Sequence, residues 1–137
     1  MNINSFPFEA WPNPSLPPAD LMAEQVVLGA LLAFSIPRSA TATLRPKHFA
    51  DTVHGAIFKA ISEAPEWTPH GNRTWLQRHL QKSGALEDVG GSTYLDQLSA
   101  AAGSDLQVPA AVASILQTYR RRVVLEIAER LTALARE

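Results

Sequence analysis

The 137-residue sequence has no cysteine, which excludes disulfides, thiolate zinc sites and cysteine nucleophiles and suits a reducing compartment. Long hydrophobic runs are lacking too. The longest, residues 26–34, falls well short of the roughly 20 apolar residues that a membrane span needs. The N-terminus has no basic region followed by an apolar one, so no secretory signal is read there. Neither sign of charge is in excess: the formal net charge is -1, which removes a global basic field for nucleic acid and an acidic bias toward disorder. Strict apolar–polar alternation over five or more residues is absent, which argues against strands. What is present is a hydrophobic fraction of 46%, enough for one core of ordinary size. The expectation is a soluble, cytoplasmic, all-α domain with a tail.

Motifs that carry chemistry are missing as well. No glycine-rich run ends in Gly-Lys-Ser/Thr, so nothing here would cradle a nucleotide's phosphates. His48, His54, His70 and His79 lack His-x-x-x-His spacing, and only Asp51 and His54 would share a helix face, so no metal site is expected. His48 is read as a loop residue and His54 as a helix-surface residue. The serines have no nucleophile-elbow context. No catalytic, cofactor-binding or metal-ligating residue is therefore assigned, and a chain with a core but no chemistry reads as a partner-binding or assembly domain.

Three segments follow from the punctuation. Residues 1–18 hold prolines 7, 12, 14, 17 and 18 and should be an extended tail, with Phe6, Phe8 and Trp11 tucked onto the domain or onto a partner. Residues 19–104 form a helical head of about five helices. The first begins after Asp20 as N-cap and carries the most apolar stretch of the chain, with Gly29 marking a close helix crossing. Glu24 and Gln25 are expected as a first-turn surface pair, since no histidine or carboxylate lies near in sequence to work with them. Pro37 should open a helix of at most two turns to Leu44; Asp51 or Thr52 caps the next, with Ile57, Phe58 and Ile61 inward. Residues 65–72 read as a loop, after which Asn72 caps a helix facing Trp75, Leu76 and Leu80 inward, with Gly84 at its C-cap. Gly90-Gly91 is a turn into a fifth helix with Tyr94, Leu95 and Leu98 buried, stopped by Gly103.

Residues 105–137 form a long C-terminal helix or a helical hairpin. Pro109 fits the first turn, and apolar residues recur at Val112, Leu116, Tyr119 and Val123, then at Val124, Ile127, Leu131 and Leu134. The two sets do not share one heptad frame, which means a stutter or a break. These eight residues are the candidate oligomer interface. Arg120, Arg121, Arg122 and Arg130 are candidate nucleic-acid or partner contacts, although three consecutive arginines cannot form one narrow stripe.

Pro17-Pro18-Ala19-Asp20 followed by Ala23-Glu24-Gln25-Val26-Val27-Leu28-Gly29-Ala30-Leu31-Leu32 resembles the opening of the N-terminal domain of DnaB-type replicative DNA helicases. Leu44-Arg45-Pro46-Lys47-His48-Phe49 resembles that family's "LRPEDF" turn. His54 with Ile57-Phe58 and Ile61 resembles its "H..IF.AI" helix, and Gly84 to Leu95 its "G.L..VGG..YL" segment. The resemblance spans about residues 17–134. It implies a multihelical head and a helical hairpin through which such domains pair, as a dimer or as a trimer of dimers in a hexameric helicase, with primase or a helicase loader as partners. ATP and magnesium are implied only for an ATPase domain that this stretch lacks. Met22 stands where the family usually has an acidic residue, and the connection between Ala64 and Trp75 is shorter and carries two prolines.

Three readings follow. The first is the assembly and partner-binding domain of a DnaB-like replicative helicase. The second is a freestanding head-like replication accessory protein that binds helicase or primase without an ATPase domain. The third is a DNA-binding domain using Arg120, Arg121, Arg122, Arg130 and Arg136 on phosphates, a contact expected to be weak or absent.

Overall fold

The computed structural model describes residues 17–33, 36–65, 72–102 and 104–137. The expectations for the aromatic tail, for Phe34, for His70 and the loop around it, and for Gly103 lie outside the described residues. Those residues contain five α-helices, short 3-10 turns and no strand, in keeping with the all-α expectation.

Helix α1 spans Leu21–Leu32. It starts where it does because the Asp20 carboxylate accepts from Ala23 N at 3.0 Å, satisfying a donor that the first turn leaves orphaned. The helix is apolar almost all round, and Val27, Leu28, Ala30, Leu31 and Leu32 are all buried. Such a helix has to be central. Its Gly29 is where another helix crosses: a Cβ built there would lie 2.4 Å from the Leu98 carbonyl oxygen, so the crossing admits glycine alone.

The helix expected from Pro37 to Leu44 is a single 3-10 turn, Arg38–Thr41. Its Thr41 hydroxyl donates to the Arg38 carbonyl at 3.1 Å, and Ala42 N turns to Ser39 O instead. The local hydroxyl competes for the acceptor an α-turn would have used. A second 3-10 turn, Pro46–His48, leads into α2, Thr52–Ser62, whose N-cap Asp51 accepts from Val53 N and His54 N. Helix α3, Asn72–Lys82, begins with Asn72 as its first helical residue. It ends in a left-handed Gly84, φ +75°, with Ala85 N returning to Leu80 O, the closure expected of a glycine C-cap. Helix α4, Gly91–Ala100, follows Gly90 at φ +93°.

Helix α5 runs unbroken from Val108 to Ala135, 28 residues or about 42 Å. Of the two sequence alternatives, the described residues adopt the long helix. One apolar cluster holds α1 to α4 together and also takes in Val108, Ala111 and Ile115 of α5, so the first turns of the long helix are part of the head's core.

Gly29→Ala should therefore lower stability by about 1–3 kcal/mol through overpacking against α4. Leu28→Ala should lower it by about 2–5 kcal/mol through cavity formation. Urea denaturation of each variant checks both.

Candidate functional site

Among the described residues, the most heavily buried polar groups meet at one point. The Glu24 side chain is fully buried and His54 is 2% exposed. The Glu24 carboxylate accepts from Ala50 N at 2.8 Å and Asp51 N at 3.3 Å, the two amides just ahead of α2. It also pairs with His54 Nδ1 at 2.9 Å. His54 Nε2 lies 2.5 Å from the Tyr94 hydroxyl, to which Gln25 Nε2 donates at 3.5 Å. A consistent proton assignment has Nδ1–H donating to Glu24 and Nε2 accepting from the tyrosine O–H. The sequence placed Glu24, Gln25 and His54 on the surface without partners; Glu24 and His54 are instead an interior pair. Thirty residues separate them, so their meeting could not be read from local spacing.

An acid–histidine–hydroxyl series has the order of a nucleophile-activating relay. Here it ends on a phenol whose ring stacks parallel to the imidazole, 6.0 Å between centroids. Grooves of about 310 to 510 Å³ beside α2 and along α5 are lined by other residues. The network's role is to tie α1, α2 and α4 together.

A second set of contacts fixes α5 to the head. Ser114 Oγ donates to Asp20 at 2.6 Å, so one carboxylate caps α1 and anchors α5. That bond and the Ala23 amide hold the Asp20 carboxyl below its ordinary value. Arg122 donates to Pro18 O at 2.9 Å and to His48 O at 2.8 Å, and its guanidinium lies over the Tyr119 ring. Tyr119 packs edge-on against His48, 4.7 Å between centroids. His48 is buried, not a free loop residue; its Nδ1 accepts from Arg45 N at 2.9 Å. Burial lowers its pKa, helped by Lys47, Arg45, Arg122 and Arg120. Among the described residues no three His, Asp or Glu side chains gather as a metal ligand set.

The residues predicted for assembly divide in two. Val112 and Leu116 pack against the head's core, and Tyr119 and Val123 are partly buried. Val124, Ile127, Leu131 and Leu134 are 51–65% exposed, and from Glu126 to the last residue every position is exposed. Val124 follows Tyr119 by five positions, which turns the apolar stripe by roughly 140° around the helix axis. The shift of frame visible in the sequence is thus a change of face, from head to solvent. Of the arginines, Arg122 is engaged internally, Arg130 pairs with Glu126 at 2.8 Å, and Arg120 and Arg121 are exposed.

A family model for the DnaB-like helicase N terminal domain matches residues 16–117. The replicative DNA helicase DnaB of Treponema pallidum (strain Nichols) is 34% identical over 131 residues, covering 90% of this chain and 30% of that protein. The replicative DNA helicase DnaB of Rhodothermus marinus is 32% identical over 111 residues, covering 80% of this chain and 12% of that protein. The chain spans less than a third of the length of these relatives. Among solved structures, the N-terminal domain of DnaB helicase from Mycobacterium tuberculosis superposes with a TM-score of 0.79 at 23% identity, covering 89% of each chain, a likeness of fold.

Removing Glu24 takes away the acceptor shared by the His54 Nδ1–H and the Ala50 and Asp51 amides and leaves three buried donors without a partner. Glu24→Ala should cost about 3–5 kcal/mol, the sum over several unsatisfied buried donors, and Tyr94→Phe about 1 kcal/mol, measured by urea unfolding. Because the folded state holds His48 neutral below its ordinary pKa of 6.5, its contribution is complete above that pH and declines as pH falls below it. The contribution of Asp20, depressed from 3.8, is present above that value and is lost on further acidification. The unfolding midpoint should therefore begin to fall below about pH 6.5, and a His48→Gln variant should lose less over that first step.

Proposed function

The chain belongs to the family of DnaB-like helicase N-terminal domains, and on that premise we propose that it is the assembly and partner-binding domain of a DnaB-like replicative DNA helicase. The observation that carries this reading is the exposed stripe of Val124, Ile127, Leu131 and Leu134. Their 3-4-3 spacing is that of a coiled-coil seam. A head that buries its own core and then extends two bare heptads has built an interface for another helix. The occupant proposed is the same helix of a second copy, giving a dimer, or a trimer of dimers in a full-length helicase. Primase or a helicase loader would then meet the heads. ATP and magnesium belong, in this reading, to a separate ATPase domain, since this chain offers no Gly-Lys-Ser/Thr loop.

Direct DNA contact by this domain is weak or absent in this reading. Arg122 and Arg130 already serve the chain's own carbonyls and carboxylate, which supports leaving Arg120 and Arg121 as a minor basic feature.

Sedimentation at micromolar concentration should show self-association, and an Ile127→Asp/Leu131→Asp variant should be monomeric with an unchanged unfolding midpoint for the head. A wild-type monomer at all concentrations, or a variant that associates as before, would contradict the reading.

A further inference from the structure

Between the Arg38–Thr41 turn, the bend at Pro46 and the second half of α2 lies an open groove of about 310 Å³. Leu44, Phe58 and Ile61, none more than 6% exposed, close it from beneath, and Ala42, Pro46, Arg38 and Arg45 line it where solvent reaches. It lies away from α5, which lines none of it. Each guanidinium is already held in place by backbone. Arg38 Nη1 donates to Ala64 O at 2.8 Å and to Ile61 O at 3.4 Å. Arg45 Nη1 donates to Ala42 O and Leu44 O, both at 2.8 Å. Among the described residues, Nε and Nη2 of both arginines make no hydrogen bond or ion pair. Among the described residues no carboxylate lines the groove, and Glu63 at the end of α2 is bonded to His79 instead, at 2.7 Å.

The combination is selective. A guanidinium fixed through one nitrogen presents its remaining donors as a pre-formed fork, which suits a carboxylate and costs little further ordering. Ala42 and Pro46 beside it leave apolar surface that one side chain can cover. Two cations with no ion pair among the described residues, beside Ala42 and Pro46, match an anionic chain that carries an apolar residue. They do not match a phosphate backbone, which needs a longer track of cations and an exposed aromatic platform for its bases. The groove is the size of a small-ligand site, too small to receive a folded domain.

We infer that this groove docks an acidic, extended peptide segment of a partner protein, seating one apolar side chain against Ala42 and Pro46 and a carboxylate on Arg38 and Arg45. This deepens the partner-binding half of the function proposed above and is independent of helix pairing through α5.

The test is fluorescence anisotropy with a short, fluorescein-labelled, aspartate-rich peptide ending in phenylalanine. Saturable binding is expected, weakened about tenfold or more in Arg45→Glu, which loses one fork of the rim. Replacing the peptide's phenylalanine by serine should weaken it comparably. Ala42→Trp, at an exposed lining position, should block the groove without changing its charge. Circular dichroism melting shows that each variant is folded. The Ile127→Asp/Leu131→Asp variant should bind the peptide as wild type does, which separates failure of this site from failure of the helix pairing. Absence of binding to the wild type would overturn the proposal. So would undiminished binding to both groove variants, or displacement of the peptide by a short single-stranded oligonucleotide of equal charge.

Discussion

A carboxylate with no access to water must be surrounded by donors, and the head of this protein is arranged around that requirement at Glu24. Its partners come from the loop before α2, from α2 itself and, through His54, from α4. A buried charge left short of one hydrogen bond is costly, so the three helices cannot slide independently. Apolar packing would tolerate small shifts of register; this network does not. Gly29 adds the complementary constraint, because the backbone of α4 passes too close for any side chain there. Polar bonding on one flank of α1 and steric contact with α4 thus fix the same helix.

Much of this was legible in the sequence where the signal is local. Asp20 and Asp51 cap the helices they were expected to cap, Gly84 takes the left-handed conformation at the end of α3, and Gly29 lies at a helix crossing. Local rules failed where tertiary partners decide. Glu24 and His54 look like surface residues until the fold joins residues 30 apart. Arg73, which bonds Asp96 and Ser92 O and joins α3 to α4, gave no sequence signal. The Arg38–Thr41 turn was expected as an α-helix because propensity does not register a hydroxyl competing for one carbonyl. The segments that suggested the family, around Glu24, His54 and Tyr94, converge in space on a single hydrogen-bonded network. Their chemistry explains why those residue types occur together.

The division of α5 into a packed and an exposed part was half legible. The break in heptad frame at Val123-Val124 is real, but it marks a change in what the helix faces, not a turn in the chain. Before it, α5 is fastened to the head by Ser114, Tyr119 and Arg122. After it, the helix holds its own backbone bonds, the Thr132 hydroxyl on the Ala128 carbonyl and an exposed Arg130–Glu126 pair, which contributes a few tenths of a kcal/mol. Helical stability in proteins comes mainly from packing of an apolar face. A distal segment without such packing is marginal until another surface covers it.

Hydrogen exchange as a function of protein concentration tests that account most directly. Amides of α1 and α2 should be protected equally at all concentrations, because the head holds itself together. Amides of residues 124–135 should exchange rapidly when dilute and become protected as concentration rises, as the proposed pairing with a second copy requires. Protection of that segment that does not change with concentration would contradict the account.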